Sequence, residues 1–282
     1  MKAMIEQQPL ASPGRIWLLF DGSPGSQAAL LQVLPFAQDS GRELRALYVE
    51  DLALVRCSGL SVAREVGAVS GVVRTHDEAS HRYAQAVRLR RAQHCLDHLL
   101  GLTPGQVLQL ESYRGEPLSV LREQVKAEDW VVVGRGGYAN RRPDRLGWFA
   151  QCLVKHLSGT LLIGSPSGAI DAGPWLLLLD DNANFEHQIT AALSEAGGLA
   201  SAMIVIHQKE LPPDLRQQIE TVTPLALTWI REQVGGSLAL QKLVQDYQAA
   251  GFIASESHRL VKTSGTQSGL AGIDRPYLII RN

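Results

Sequence analysis

Cysteine is scarce in this chain. Only Cys57, Cys95 and Cys152 occur in 282 residues. Three dispersed thiols with no Cys-x-x-Cys pair argue against a disulfide framework and for a reducing compartment. Charge of one sign is lacking too. The formal net charge is −1, so no global field draws the protein to nucleic acid or to an anionic membrane. No apolar run nears the length of a membrane span. The first residues, MKAMIEQQPLASPGR, hold no apolar stretch of the kind a signal peptide needs. The expectation is a soluble, cytoplasmic protein with neither a nucleic-acid nor a membrane partner. Catalytic signatures are missing as well. There is no Gly-x-Ser-x-Gly elbow and no Gly-x4-Gly-Lys-Ser/Thr loop. Asp97 and Glu111 have no evident acid or base partner. His94 and His98 stand four apart beside Cys95, with His81 one helix face away. Four residues is a zinc-compatible helical spacing, but without a motif glutamate a solvated helix face explains them better.

What is present is alternation. Apolar residues make up 45% of the chain, ample for a core. IWLLFD (16–21), ELRALYVE (43–50), VLQLESY (107–113), DWVVVG (129–134) and TLLIG (160–164) read as strands. Helical spacing fills the intervals, over 26–37, 82–100, 117–126 and 149–156. Five strands alternating with four helices imply a parallel sheet covered on both faces. The segment 51–80 is additional, and the expectation is that it folds over the sheet's edge or mouth. GSPSGAIDAGP (164–174) has linker composition. WLLLLDD (175–181) then restarts the pattern, followed by helix 185–196, strand 202–207, a weaker strand 225–230, helix 237–250, strand 251–255 and PYLIIR (276–281). This reads as an internal repeat with a shorter second copy.

Open parallel sheets take ligands beyond the carboxyl ends of their strands, where strand order reverses. Two strand ends are unusual here: Asp21-Gly22-Ser23 and Gly134-Arg135-Gly136-Gly137. As neighbours across the switch point they would face one crevice. Glycine admits phosphate oxygens to backbone N–H groups, and a helix starting after Gly147 would offer a positive end. Asp21 could accept bonds from a ribose or base, or help hold Mg²⁺. A tight turn and a helix N-cap explain the same local residues, so on local features alone both readings stand. Of the basic clusters, Arg82, Arg88, Arg90 and Arg91 read as a solvated helix face, and Arg141, Arg142 and Arg145 as a solvated loop.

Over most of residues 13–165 these motifs resemble a universal stress protein domain. FDGSPGSQAAL (20–30) looks like the family's opening Asp-x-Ser segment, LRALYVED (44–51) like its second strand, and RGEPLSVL (114–121) like its Gly-x-Pro turn. Gly134, Gly137 and Gly147 fit the Gly-x2-Gly-x9-Gly spacing of the nucleotide-binding members. REVGAVSGVVR (64–74) is similar to an insertion of tandem bacterial members. The resemblance implies a Rossmann-like α/β fold: two tandem open parallel five-stranded sheets with helices on both faces, paired within the chain through their last strands. The implied layout is a tail (1–12), a first domain (13–165), a linker (166–173) and a second domain (174–282).

The resemblance implies ATP, with Mg, as ligand, and a stress-response regulator or sensor as function. It places Leu19, Phe20, Asp21 and Val49 at the adenosine and Gly134, Gly137 and Gly147 at the phosphates. Trp148 stands where the family has Ser or Thr. Losing a hydrogen bond to phosphate there costs about 1.5–3 kcal/mol, which Arg135, Arg141, Arg142 and Arg145 could partly offset. The alternative is a nucleotide-free interaction protein whose loop is blocked by Trp148. Weak ATP hydrolysis ranks last, because no general base is visible. In the second copy, Gly265, Gly269 and Gly272 lack the family spacing, although Asp180 and Asp181 keep the carboxylate. That copy reads as degenerate, without a nucleotide. Association of two chains stays open.

Overall fold

The structure is a computed structural model of the full chain. It describes residues 14–52, 64–67, 70–75, 78–102, 108–136, 146–166, 168, 172–180, 184–196, 199–262 and 273–281. Gly137, Asp181, Arg141, Arg142, Arg145 and the glycines at 265, 269 and 272 lie outside these residues, as does the tail 1–12.

The first half runs β1 (Ile16–Leu19), α1 (Pro24–Ser40), β2 (Leu44–Asp51), β3 (Arg64–Val66), β4 (Val73–Thr75), α2 (Glu78–Gly101), β5 (Leu110–Gly115), α3 (Pro117–Gln124), β6 (Trp130–Val133), α4 (Trp148–His156) and β7 (Thr160–Ile163). The second half runs β8 (Trp175–Leu178), α5 (Phe185–Ala196), β9 (Ala202–His207), α6 (Pro213–Val222), β10 (Ala226–Arg231), α7 (Ser237–Asp246), β11 (Gly251–Ser255), α8 (Arg259–Lys262) and β12 (Tyr277–Ile280).

Ten strands form one sheet in the order β10-β9-β8-β11-β12-β7-β6-β1-β2-β5. Within each half the pairs are parallel. The halves meet at the antiparallel pair β7–β12, centred on Leu162 opposite Leu278. This pair merges the two expected sheets into one, with a local two-fold at its centre. Following the register outward from it makes Val133 equivalent to Ala254, Leu19 to Leu178 and Leu47 to Ile206. One step past the strands, Gly134 matches Ser255. Two steps past, Asp21 matches Asp180.

The strands are buried on both faces because a parallel sheet is covered by its crossover helices. Alternate residues of β1 show it: Ile16 and Leu18 join the core under α1, α2, α5 and α6, while Trp17 and Leu19 join the core under α3, α4, α7 and α8. At the seam, the Trp130 indole N–H donates to the Glu195 carboxylate and Arg42 pairs with Glu195 at 3.2 Å. On the other face Arg281 donates to the carbonyls of Leu153 and Val154 at 2.9 and 2.7 Å, satisfying acceptors at the end of α4.

Helices α6 and α8 and the hairpin β3–β4 escaped the sequence pattern. Helix α6 starts on a Pro-Pro pair, Pro212 as its N-cap and Pro213 as its first residue, and among its described side chains only Ile219 is buried. The additional segment contains an antiparallel hairpin, β3–β4, turned through Gly67 and the positive-φ Gly71.

Candidate functional site

A cavity of about 580 Å³ opens at the carboxyl ends of β1, β2 and β6. Its volume is of the size that holds small ligands and cofactors. It lies at the switch point, where β1 and β6 are neighbours while their chain continuations diverge.

The floor comes from strand ends. Leu19, Phe20 and Asp21 leave β1, Val49 and Asp51 leave β2, and Val133 through Gly136 leave β6. Asp21 is held in a short turn: its Oδ1 accepts from the Ser23 backbone N–H at 2.9 Å, with Gly22 at φ 75°. Ser23 in turn caps α1, its Oγ accepting from Ser26 N–H at 3.3 Å. The N-cap role therefore exists, and it belongs to Ser23. No described residue donates to Asp21 Oδ2, which leaves that oxygen for a ligand.

The glycines after β6 answer first to packing. A Cβ on Gly134 would lie 2.4 Å from the carbonyl carbon of Gly25 and 2.8 Å from Ser26 N. A Cβ on Gly25 would lie 2.6 Å from the oxygen of Gly136. Two backbones cross there without room for side chains. Gly134, Arg135 and Gly136 all line the cavity.

One wall is the start of α4. Gly147 is its N-cap, with no side-chain capping bond, and its N–H donates to Arg135 O at 2.6 Å. Gly147, Trp148, Phe149 and Ala150 line the cavity, so the first free N–H groups of the helix and its positive end meet the space. The Trp148 side chain does not fill it: the residue is 71% exposed. As the first helical residue it stands on the rim.

Arg135 behaves differently from the expectation. Part of it lines the cavity, yet it is buried. Its guanidinium donates to Arg275 O at 2.9 Å and lies over the Tyr277 ring at 5.6 Å. Burial pulls its pKa below the ordinary arginine value, and full burial pushes the Tyr277 phenol up. The charge that sequence reasoning offered to a phosphate is committed to the seam between the halves.

The opposite wall is α2, which contributes Gln85, Arg88 and Arg91. Gln85 is buried and accepts from Tyr48 OH at 3.3 Å, with His81 at 3.3 Å behind it. This wall was missed as a site. Its signal was the i, i+3, i+6 spacing of Gln85, Arg88 and Arg91, off the Leu89-Ala92-Leu96 stripe. His94 is exposed, and no group of three or more metal-binding side chains occurs among the described residues.

The structure thus gathers Leu19, Phe20, Asp21, Val49, Gly134, Arg135, Gly147 and Trp148 around one cavity. The equivalent place in the second half is built otherwise. Asp180 is buried, and its Oδ2 accepts from Ser257 Oγ at 2.6 Å. Ser257 also bonds Ser255, the counterpart of Gly134, at 2.7 Å. Gln188 closes on the Asp180 backbone with bonds of 2.8 and 3.0 Å.

Taken together, the mostly parallel, doubly covered sheet and the cavity at its switch point define an α/β protein of the Rossmann-like class. Its particular fold is that of the universal stress proteins. A universal stress protein from Archaeoglobus fulgidus superposes with a TM-score of 0.65 at 12% identity, covering 96% of this chain and 99% of that one. A Pseudomonas aeruginosa structure assigned to the same proteins superposes at 0.51 and 12% identity, covering 96% and 94%. No family model matches the sequence, and no curated protein matches it significantly. No described helix is long and apolar enough to cross a membrane.

Proposed function

We propose that this chain is a stress-response regulator or sensor that binds an adenine nucleotide, ATP with Mg, in the crevice of its first half. The observation that carries this is the coincidence of three features in one cavity: the uncommitted oxygen of Asp21, the bare backbone at Gly134–Gly136, and the uncapped start of α4. A carboxylate suits ribose hydroxyls, and a glycine loop beside a helix start suits phosphate. Val49 and Leu19 supply apolar surface for a base. A bound Mg would take Asp21 as its carboxylate ligand. The second half acts as a fixed internal partner through β7–β12. No residue is assigned a catalytic role, and regulation through occupancy requires none.

The test is direct. The purified protein is denatured and filtered, and the released small molecules are identified by mass spectrometry. Near-stoichiometric adenine nucleotide is the expected result. Where the protein purifies empty, ATP at a hundred times its Kd should add about 2.7 kcal/mol of stability. An empty supernatant together with no thermal shift in excess Mg-ATP contradicts the reading.

A further inference from the structure

Four arginines crowd α2 and its start, but they are not equivalent. Arg88 and Arg91 line the cavity; Arg82 and Arg90 do not. Arg88 and Arg91 sit one helical turn apart, so their side chains project from the same face. Both are exposed, and neither forms a hydrogen bond or ion pair with any described residue. Two guanidinium groups held within one turn of each other repel unless an anion lies between them. Among the other arginines, the half-buried Arg15 and Arg45 both bond Glu43, and the exposed Arg114 bonds Glu50 at 2.6 Å. The cavity walls contain Asp21 and Asp51, yet Arg88 and Arg91 pair with neither.

Across the cavity, the phosphate side has lost both of its expected charges or hydroxyls. Trp148 offers no hydroxyl, and the Arg135 guanidinium is spent on Arg275 O and Tyr277. Among the described residues, a ligand with several negative charges would meet no free cationic side chain there. The uncommitted positive charge of this site, among the described residues, stands on α2.

We infer that Arg88 and Arg91 are ligand-binding residues, and that they make the site selective for a polyphosphate-bearing nucleotide over a monophosphate. This inference rests on the nucleotide reading above. A planar guanidinium pairs with phosphate oxygens two at a time, so a longer phosphate chain gains more from a second wall than a single phosphate does. The base and ribose remain with Leu19, Val49 and Asp21.

Calorimetry with ATP, AMP, adenosine and inorganic tripolyphosphate, on wild type and on Arg88→Ala/Arg91→Ala, tests this. Wild type should prefer ATP to AMP. The double variant should lose about tenfold in ATP affinity, the size expected for two solvent-exposed charge pairs. Adenosine binding should change less than twofold. Arg90→Ala, on the same helix but outside the cavity, should leave all four affinities unchanged. Arg88→Lys/Arg91→Lys should recover part of the ATP affinity, because charge is kept and only the paired geometry is lost. If ATP binds the double variant as tightly as wild type, the arginine assignment is overturned while the nucleotide reading stands. If tripolyphosphate binds wild type, fails on the double variant, and adenosine adds nothing, the arginines stand and the adenine reading falls. Absence of both ATP and tripolyphosphate binding overturns both.

Discussion

The two halves share one strand order and differ most at the mouth of the crevice. In the first half the loop after β6 begins with Gly134, the loop after β1 leaves an Asp21 oxygen uncommitted, and α2 extends for 24 residues beside the opening. In the second half the equivalent positions hold Ser255 and a buried Asp180, joined through Ser257, and the equivalent helix α6 has 10 residues. The same topology therefore yields a receptive crevice where polar groups are left open and a self-satisfied one where the chain supplies its own partners. Buried polar groups must be paired, and the second half pairs its carboxylate internally.

The sharpest way to break this comparison is at the crossing glycine. Gly134→Ala places a Cβ against the Gly25 backbone, which cannot move aside as a side chain can. Overpacking of this kind costs about 1–3 kcal/mol, and nucleotide binding should be lost with it. Ser255→Gly, the equivalent exchange in reverse, should leave binding intact. Denaturant melts and calorimetry on both variants check the asymmetry, and equal behaviour would erase it.

Next in size are the two carboxylates. Asp21→Asn should weaken ATP about tenfold, the value of one hydrogen bond to a charged group, with little effect on stability. Asp180→Ala should do the opposite: binding unchanged, and stability down by about 1–2 kcal/mol, because Ser257 and Ser255 lose a buried acceptor. Urea unfolding separates the two outcomes.

A smaller effect concerns Glu116, whose carboxylate caps α3 by accepting from Leu118 and Ser119 N–H at 3.2 and 2.7 Å. The Ser119 hydroxyl, then the backbone N–H groups, hold its pKa below the ordinary value. A lowered folded pKa means the cap contributes fully above the ordinary carboxylate range and is lost as pH falls through the lowered folded value. Glu116→Ala should cost about 0.5–1 kcal/mol at neutral pH, and the gap to wild type should close in acid. A gap that persists at low pH would show that the carboxylate charge is not what caps the helix.

The smallest effect should come from Trp148. Because its side chain stands 71% exposed on the rim, Trp148→Ala should change ATP affinity less than about twofold, within the range of ordinary surface substitutions. Trp148→Ser, which adds a hydroxyl at the helix start, should bind more tightly than Trp148→Ala. A large gain in the alanine variant would show that the indole blocks the site.

Much of the architecture was legible because the chain's periods are clean. Continuous apolar runs such as WVVV, buried along their whole length, announce strands covered on both faces. The repeated IWLLFD and WLLLLDD announce the restart. Helix α6 was not legible, since PDLRQQIETV turns few apolar residues inward. The reason for Gly134 was hidden too. It depends on Gly25, which is distant in sequence and adjacent only once β1 and β6 pair. Arg135 misled for a related cause: its neighbours are glycines, but its partner is Tyr277, brought near by the β7–β12 seam. The α2 wall was half legible, as a basic cluster whose cavity-facing members only the structure separates. The direction of Trp148 follows from its place as the first residue of α4, a boundary that sequence periodicity set one residue later.

The central claim is that one crevice receives a nucleotide and the other is closed by its own chain. Titration calorimetry of the wild-type protein with Mg-ATP, read for stoichiometry, tests it most directly. The account predicts one nucleotide per chain, abolished by Gly134→Ala and untouched by Ser255→Gly. Two nucleotides per chain, or one that survives Gly134→Ala and disappears with changes around Asp180, would contradict it.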